Sequence, residues 1–282
     1  MEVTRTAKGL RARTAAARAM RKPVGFVPTM GFFHQGHLSL MRRAREERGF
    51  VVVSIFVNPL QFGPGEDFEA YPRDPDRDLA LAEAEGVDLV FAPEVEEMYP
   101  GGRPEVMVDP GPLGDRLEGA ARPGHFRGVA TVVARLFHLV GPSAVYFGEK
   151  DAQQLAVIRR MVRDLGFGVD VVACPVVREP DGLALSSRNV YLSADERVAA
   201  TCLFRALREA QASVAAGERD TSAVRARMEE VVGAEPLAHL DYATVVDEET
   251  FEETDRLERA ARALVAARVG TPRLIDNLRL DA

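Results

Sequence analysis

Residues 28–37 read Pro-Thr-Met-Gly-Phe-Phe-His-Gln-Gly-His, and they follow directly on an apolar, strand-like segment at residues 23–27. If a helix begins at His34, then His37 lies on the same helical face, because residues three apart are neighbours on a helix. The free N–H groups and the dipole of a helix N-terminus favour an anion. A strand, a glycine-containing loop and two imidazoles at a helix start therefore predict a nucleotide triphosphate site.

The histidine pair has two other interpretations. A zinc site on a helix usually has i, i+4 spacing and a nearby carboxylate, and no third ligand stands near His34 and His37 in the sequence. Buried structural histidines would be ordinary for an isolated His-x-x-His. Gly31, Gly36 and the strand–loop–helix context favour phosphate binding, where imidazole donors can stabilise charge that builds on a phosphate oxygen.

Apolar segments of two kinds alternate on both sides of this motif. Strand-like runs occur at residues 24–27, 50–57, 88–92, 144–147 and 169–173, and helical stripes occur at residues 4–20, 37–48, 75–85, 129–140 and 155–165. This alternation predicts an α/β fold, a Rossmann-like parallel sheet with helices on both faces. Ligands of such sheets bind beyond the carboxyl ends of the strands. Residues 93–123 look loop-rich, with a short strand candidate at residues 106–109.

The pattern changes after about residue 175. Asp181-Gly182 is a turn signal. Two alanine-rich helical stretches follow at residues 194–216 and 222–232, and then three strand candidates at residues 240–246, 262–269 and 273–278. We therefore predict a Rossmann-like domain over residues 1–175 and a smaller C-terminal α+β domain over residues 176–282.

Composition narrows the class of protein. The net charge of −7 argues against a duplex nucleic-acid partner. The longest apolar run, residues 50–57, is far too short to span a bilayer. Cys174 and Cys202 provide neither a disulfide framework nor metal-ligand spacing, so a reducing cytoplasm fits best. The basic residues 1–22 have the composition of a transit peptide, but we favour a surface helix because the first strand follows at once.

Lysine and asparagine are scarce. Only three lysines occur among the 36 basic residues, and the three asparagines are Asn58, Asn189 and Asn277. Where a chain with this bias keeps a lysine or an asparagine, we expect the position to require it. Lys150, Asn58 and Asn189 all fall within candidate functional motifs.

A second motif, at residues 147–154, reads Phe-Gly-Glu-Lys-Asp-Ala-Gln-Gln and again joins a strand end to a helix. Lys150 is a point charge suited to a phosphate oxygen, and Gln154 lies about one helical turn further on. The alternative is an exposed first turn in which Glu149 and Asp151 complement the helix dipole. The scarcity of lysine favours a functional role.

A third motif, at residues 183–189, reads Leu-Ala-Leu-Ser-Ser-Arg-Asn. Consecutive hydroxyls and a guanidinium can close over a triphosphate, although Ser-Ser-Arg by itself is usually an N-cap or a turn. Gln61 follows the second strand, so it is expected at the same sheet edge as the histidines. A neutral amide there suits a hydroxyl or carboxylate on a substrate that carries no phosphate.

Other polar residues are interpreted as structural. Asp74, Asp76 and Asp78 could hold Mg²⁺, but Asp-Pro before a helical pattern is better explained as an N-cap. The isolated histidines are His125, His138 and His239. No Gly-x-Gly-x-x-Gly and no Walker A sequence occurs, which excludes dinucleotide and P-loop interpretations.

Together these segments closely resemble the pantoate–β-alanine ligase (pantothenate synthetase) family of the His-x-Gly-His nucleotidyltransferase-like superfamily. The matching stretches are residues 27–37, 54–62, 124–129, 147–154 and 186–192, in order and at the family's spacing. His-x-Gly-His alone indicates the superfamily, whereas the segments around Gln61 and Lys150 are far more specific. In one departure, Leu185 stands where methionine is common, and the two side chains are close in volume.

The resemblance implies an ATP-dependent ligase that joins pantoate to β-alanine through a pantoyl adenylate, with Mg²⁺ bound mainly through the ATP phosphates. It implies a cytoplasmic homodimer without nucleic-acid or membrane partners. His37, as proton donor, would be catalytic together with His34 and Lys150. Gln61 and Gln154 would hold pantoate, with Gln61 also near β-alanine. The implied ATP contacts are Met30, Gly31, Phe32, Phe33, His34, Gln35, Gly36, His37, Gly148, Glu149, Lys150, Asp151, Val177, Leu185, Ser186, Ser187 and Arg188.

Three rival functions are weaker. A nucleotidyltransferase of the same superfamily would bind a phosphorylated substrate and need extra basic residues, whereas Gln61 and Gln154 are neutral. An aminoacyl-tRNA synthetase would need a tRNA-binding surface, for which the net charge offers no support. A nucleotide sensor without catalysis could keep the fold, but the retained His34, His37 and Lys150 argue against it.

Overall fold

The computed structural model of the chain describes residues 1–66 and 68–281, which form two compact units. The first unit comprises Met1–Glu149 and Gln153–Pro175. The second comprises Lys150–Ala152 and the chain from Val176 onward. The short segment Lys150–Ala152 thus belongs to the second unit, although first-unit elements flank it in the sequence.

The first unit is built on a six-stranded parallel sheet, which confirms the predicted α/β class. Its strands are β1 (Glu2–Thr4), β2 (Val24–Thr29), β3 (Phe50–Ile55), β4 (Leu89–Phe91), β5 (Ser143–Gly148) and β6 (Val169–Cys174). The strand order is β1-β4-β3-β2-β5-β6, and each neighbouring pair is parallel. The chain moves from β2 to β3 on one side and places β5 on the other. The order therefore reverses between β2 and β5, where doubly wound sheets bind their ligands.

Seven helices connect or follow these strands in the described part of this unit: α1 (Ala7–Ala19), α2 (Gln35–Glu47), α3 (Pro75–Ala84), α4 (Val95–Met98), α5 (Glu118–Ala121), α6 (His125–Val140) and α7 (Ala152–Leu165). Both faces of the sheet are covered. Val51 and Val53 pack in one cluster with Met41 of α2. Phe26 and Val52, which point to the opposite face by strand alternation, are also fully buried.

One expectation for the first unit was wrong, and one strand was not predicted. Residues 106–109 form no strand, and Val106 is 88% exposed. The Val108 N–H instead donates to the side-chain oxygen of Thr131 at 3.0 Å, so this N–H is not available to a neighbouring strand. β1 was missed because it is three residues long and largely exposed, and its register with β4 comes from contacts far along the chain.

The second unit is α+β, as predicted. Its antiparallel sheet has the order β7 (Ala238–Asp247), β8 (Ala261–Val269), β9 (Arg273–Leu280). Its helices in the described residues are α8 (Ala194–Ala199), α9 (Cys202–Ala215) and α10 (Thr221–Gly233), so the expected helix at residues 194–216 is interrupted. Leu207 of α9 and Met228 of α10 share a buried core with Val265 of β8. Across the described residues no helix combines the length and apolar character needed to cross a membrane.

Candidate active site

His34 is the N-cap of α2, the position that the sequence pattern predicted. Its Nδ1 accepts the Gly36 N–H at 3.1 Å, and the Nδ1 of His37 accepts the His34 N–H at 3.3 Å. The two ring centroids are 4.1 Å apart. Because Nδ1 is an acceptor in both rings, each neutral imidazole carries its proton on Nε2. The local backbone therefore makes both histidines Nε2–H donors at a helix N-terminus.

The turn that precedes α2 is held by hydrogen bonds to Asp78 of α3. Gly31 has φ +85° and Phe32 has φ +52°, a left-handed conformation that residues with a side chain rarely adopt. The Phe32 and Phe33 N–H groups donate to the two carboxylate oxygens of Asp78 at 2.6 and 2.7 Å. A Cβ at Gly31 would lie 2.9 Å from Oδ2 of Asp78, so this approach needs glycine.

Asp78 therefore differs from the simple capping role expected of its segment. Asp74 is the N-cap of α3, as expected, and its Oδ1 accepts the Arg77 N–H at 3.2 Å. Asp78 lies one turn further on and is 1% exposed. Burial raises the pKa of the Asp78 carboxyl, and the two backbone N–H groups act in the opposite direction. Sequence reasoning missed this contact, because its partners lie about 45 residues earlier in the chain.

Gln61 ends a short 3-10 helix after β3, and its amide is held on both sides. Its Nε2 lies 3.0 Å from Sδ of Met30, so the loops after β2 and β3 meet at this point. Its Oε1 accepts from Nδ2 of Asn58 at 3.2 Å. Oδ1 of Asn58 in turn accepts the Tyr99 hydroxyl at 2.7 Å. Asn58 and Tyr99 are buried, so this network fixes which face of the Gln61 amide donates.

The backbone carbonyl of Gln61 is held by two further side chains, those of His125 and Arg122. The Nδ1 of His125 lies 2.8 Å from this oxygen, and Nη2 of Arg122 donates to it at 3.2 Å. Arg122 also forms a two-point ion pair with Glu66 at 2.9 and 2.5 Å. Its Nη1 lies 3.2 Å from the Nε2 of His125, which makes that nitrogen the acceptor and Nδ1 the donor.

Burial and the charge of Arg122 lower the pKa of His125 to about 4, so the ring is neutral at pH 7. His125 has the structural role expected from the sequence. Its partner is the backbone carbonyl of Gln61, a residue that is predicted to bind substrate. A glycine makes this arrangement possible. A Cβ at Gly128 of α6 would lie 2.2 Å from the Leu60 carbonyl oxygen and 2.7 Å from Cα of Gln61.

A cavity of about 420 Å³ borders this network. Its lining includes the loop at residues 59–64 together with Tyr99, Arg103 and His125. The volume is in the range that accommodates a small organic molecule.

The two adjacent glutamines of the 147–154 motif have different environments. Gln153 is 4% exposed. Its Nε2 donates to the carbonyls of Leu113 and Arg116 at 2.9 and 2.8 Å, and its Oε1 accepts the Glu118 N–H at 3.0 Å. Gln153 thus fastens the loop before α6, whereas Gln154 is half-buried. Gly148 ends β5 at the same sheet edge as Thr29 and Ile55, because the three strands are parallel.

The second unit contains the predicted residues Lys150, Asp151, Val177 and 185–188. Lys150 is in the 3-10 turn Glu149–Asp151, and its Nζ lies 3.5 Å from Oδ1 of Asp151. Val177 and Leu185 are joined by a backbone hydrogen bond of 3.0 Å across a hairpin whose tip is the predicted turn at Asp181-Gly182. Ser186 then caps a 3-10 helix, Ser187–Tyr191, by accepting the Arg188 N–H at 3.3 Å. This cap is the local role that Ser-Ser-Arg usually has.

The structure therefore brings the His34/His37 pair, Met30 and Gln61 to the carboxyl edge of one sheet. It places Lys150 and the 177–188 segment in the other unit. The sequence offered a signal for Asn58, because asparagine is scarce in this chain. It offered none for Tyr99, Arg122 or Gln153, which act through contacts distant in sequence.

A parallel sheet with paired imidazoles at its switch point defines a nucleotide-binding α/β protein of the His-x-Gly-His class. The comparisons with known proteins make this specific. The sequence profile described as Pantoate-beta-alanine ligase matches residues 2–279. The chain belongs to this family and is a ligase.

Relatives and solved structures agree. The pantothenate synthetase of Roseiflexus castenholzii is 60% identical over 268 residues, covering 95% of this chain and 96% of its own. The crystal structure of pantothenate synthetase from Thermus thermophilus is similar with a TM-score of 0.92 and 55% identity over 99% of both chains. A pantoate-beta-alanine ligase from Francisella tularensis, complexed with beta-gamma ATP and beta-alanine, has a TM-score of 0.81 and 32% identity, covering 99% of this chain and 97% of its own.

Proposed function

We propose that this chain joins (R)-pantoate to β-alanine at the expense of ATP, through a pantoyl adenylate, and releases pantothenate, AMP and pyrophosphate. The observation that carries the proposal is the pair of Nε2–H donors that the backbone fixes at the N-terminus of α2. Membership of the family supplies the substrates. The structure of the Francisella relative, solved with an ATP species and beta-alanine, supports the choice of both.

In the first step a carboxylate oxygen of pantoate attacks the α-phosphorus of ATP. A P–O bond forms to pantoate and the bond to pyrophosphate breaks, so negative charge builds on phosphate oxygens. His34 and His37 would donate hydrogen bonds to those oxygens, and the N-terminus of α2 adds its dipole. His37 would also be the proton donor, with an oxygen of the departing pyrophosphate as the acceptor. Lys150, Ser186, Ser187 and Arg188 would supply further donors and positive charge.

In the second step the amine of β-alanine attacks the carbonyl carbon of the adenylate. The new C–N bond forms, AMP leaves, and the amine gives up a proton. The adenylate is already activated, so this step needs no protein nucleophile. Binding and orientation of the two reactants would provide much of the acceleration.

Gln61 would bind pantoate and lie near β-alanine, and Gln154 would bind pantoate. The Asn58–Tyr99 network would fix the Gln61 amide with Nε2 as donor, which suits a hydroxyl or carboxylate oxygen. The ATP contacts would be those implied by the sequence, residues 30–37 and 148–151 with Val177 and residues 185–188. The first domain would bind ATP and pantoate, and the second would contribute the loop over the phosphates.

Mg²⁺ would be held mainly by the ATP phosphates. The carboxylate of Asp78 is buried and accepts two backbone N–H groups, so it would not be the magnesium ligand. Magnesium favours phosphate oxygens and water with few protein carboxylates, which fits a site dominated by imidazole, amide and ammonium groups. When bound, the ion would neutralise phosphate charge. We further propose a cytoplasmic homodimer, in keeping with the family.

The proposal is tested by product analysis. AMP formation from ATP is expected to require both pantoate and β-alanine, and pantoate alone is expected to support exchange of labelled pyrophosphate into ATP. His37→Gln should reduce both rates, whereas His138→Gln, at an exposed histidine near the end of α6, should not. ATP breakdown that needs neither pantoate nor β-alanine would contradict the proposal.

A further inference from the structure

Asn277 is the one asparagine of this asparagine-poor chain that lies outside the motifs of the sequence analysis. It is on β9 and is 2% exposed. Its Nδ2 donates to the backbone carbonyl of Lys150 at 2.9 Å, across 127 residues of sequence. A buried amide of the second-unit sheet thus holds the backbone of the lysine proposed to bind ATP.

The orientation of the Asn277 amide is fixed by a charged partner. Its Oδ1 accepts from Nη1 of Arg262 at 2.5 Å. Arg262 is 6% exposed, and it is held in turn by both carboxylate oxygens of Glu248 at 3.0 and 2.8 Å. A guanidinium only donates hydrogen bonds, so the amide oxygen must face Arg262. The Nδ2 group must therefore face Lys150.

The preceding residue, Asp276, anchors the other predicted ATP-binding segment of the second unit. It accepts two hydrogen bonds from Arg178 at 2.5 and 2.9 Å. Arg178 also donates to the Gly182 carbonyl at 3.1 Å, and its guanidinium lies 4.2 Å from the centre of the Phe204 ring. Arg178 is part of the hairpin that leads into Leu185. Two consecutive residues of β9 thus connect to both segments.

We propose that Asn277 is a positioning residue that sets the backbone of Lys150 for ATP binding. This inference rests on the proposed function, in which Lys150 contacts ATP. A lysine ammonium lies at the end of a flexible four-carbon stem, so its preferred position depends on where the backbone holds its Cα. Small displacements of a binding group reduce its contribution steeply. Asn277 itself touches no substrate in this scheme.

Asn277→Asp keeps the size of the side chain and the acceptor for Arg262. It turns an oxygen instead of an N–H group toward the Lys150 carbonyl and also adds a negative charge, so it is compared with an uncharged variant. We expect the dissociation constant for Mg·ATP, measured by calorimetry on the full chain, to rise about tenfold, the equivalent of one hydrogen bond. Asn277→Ala, which removes both contacts, is the second variant.

Thr244→Ala is the matched control. Thr244 is 4% exposed on β7 of the same sheet, and its hydroxyl donates to Oε1 of Glu253 at 2.5 Å. Its loss is expected to lower the thermal midpoint without changing ATP affinity. A change in ATP affinity as large as that of Asn277→Asp would mean that any damage to this sheet suffices, and would overturn the inference.

A double-mutant cycle with Lys150→Ala separates positioning from general stability. If Asn277 acts through Lys150, then Asn277→Asp should change ATP affinity less than about twofold once Lys150 is alanine. An equal factor in both backgrounds, no effect in the wild-type background, or unchanged affinity in Lys150→Ala would overturn the inference. Failure of the proposed function is separate, because it appears as absent pantoate-dependent exchange in the wild-type chain while ATP binding is still measurable.

Discussion

The carboxylate of Asp78 accepts the backbone N–H of Phe32 at 2.6 Å and holds that residue at φ +52°. A left-handed conformation costs a residue with a side chain about 1–2 kcal/mol. The neighbouring N–H of Phe33 donates to the second carboxylate oxygen, so the turn has two acceptors on one buried group. The chain reaches the N-cap at His34 directly from this turn. The orientation of the His34 and His37 side chains therefore depends on the Asp78 carboxylate of α3.

Asp78→Asn is predicted to reduce both stability and ATP affinity. The amide keeps one acceptor but replaces the other with an NH₂ group, so one buried N–H loses its partner at a cost of about 1–3 kcal/mol. Urea unfolding measures the loss of stability, and calorimetry with Mg·ATP measures the loss of affinity. Addition of Phe32→Gly, which removes the strain at this φ, should restore part of the stability.

Asp74→Asn is the control for that substitution. Asparagine and aspartate are about equally good N-caps, so the change should alter the free energy of unfolding by less than about 0.5 kcal/mol. If Asp78→Asn were equally harmless in stability and ATP affinity, the turn would not depend on the carboxylate.

Gly128→Ala is predicted to weaken pantoate binding. The new methyl group would lie 2.2 Å from the Leu60 carbonyl oxygen, so either α6 or the Gln61 loop must shift. The pantoate KM should rise at least about tenfold, because displacement of a positioned group by an ångström is costly. Steady-state kinetics with pantoate varied, at saturating ATP and β-alanine, provide the measurement.

Gly233→Ala is the matched helical substitution, because a Cβ there would meet no atom within 4 Å. Glycine disfavours a helix by about 0.5–1 kcal/mol relative to alanine, so this variant should be slightly more stable with unchanged pantoate KM. An unchanged pantoate KM in Gly128→Ala would show that the loop can yield without loss of function.

The sequence pattern was enough to predict those features whose interacting residues are close together in the sequence. The strand–helix alternation predicted the parallel sheet, and the spacing around His34 predicted a helix N-terminus whose cap is completed by His37, a residue three positions away. Asp74 was recognised as an N-cap, because a cap bonds to a neighbour in sequence. In these cases the partner is within a few residues, so the sequence carries both halves of the interaction.

Features that depend on distant partners could not be read in the same way. Residues 106–109 have the apolar composition of a short strand, but a strand needs a neighbour, and the Val108 N–H bonds instead to Thr131. Gln153 and Gln154 are adjacent residues of the same type. Only their tertiary contacts show that Gln153 is buried and Gln154 is half-buried. His125 looked isolated because its partner, the Gln61 carbonyl, lies 64 residues earlier.

Tyr99→Phe is predicted to affect pantoate more than ATP. The change removes the hydroxyl that donates to Asn58 at 2.7 Å but keeps the ring that packs near Phe56. Asn58 then loses one of the bonds that orient it, and Gln61 loses its fixed orientation in turn. We expect the pantoate KM to rise by about three- to tenfold, the equivalent of roughly 1 kcal/mol, with little change in the ATP KM.

Tyr146→Phe is the control for this loss of a buried hydroxyl. The Tyr146 hydroxyl donates to Glu47 at 2.8 Å, at the end of α2 away from the histidines. Its removal should lower stability while both KM values stay unchanged. Equal effects of the two tyrosine substitutions on the pantoate KM would argue against the Asn58–Gln61 connection.

The free energy of unfolding is predicted to fall at acidic pH because of the buried side chain of His125. Burial, with a contribution from Arg122, lowers the pKa of His125 to about 4, whereas a histidine in an unfolded chain titrates near 6.5. As the pH falls below about 6.5, the unfolded chain gains a proton that the folded chain does not. The unfolded state is therefore favoured progressively, and this loss of folding free energy reaches about 3 kcal/mol by pH 4.

His125→Asn removes the titration and keeps a donor for the Gln61 carbonyl, because Nδ2 of asparagine can replace the Nδ1–H of the ring. Urea unfolding of both proteins at several values between pH 7 and pH 4 provides the comparison, and the other titrating groups are common to both. The stability of wild type relative to His125→Asn should decrease by about 3 kcal/mol across this range. A difference that stays constant with pH would mean that His125 is not held neutral against the Gln61 backbone.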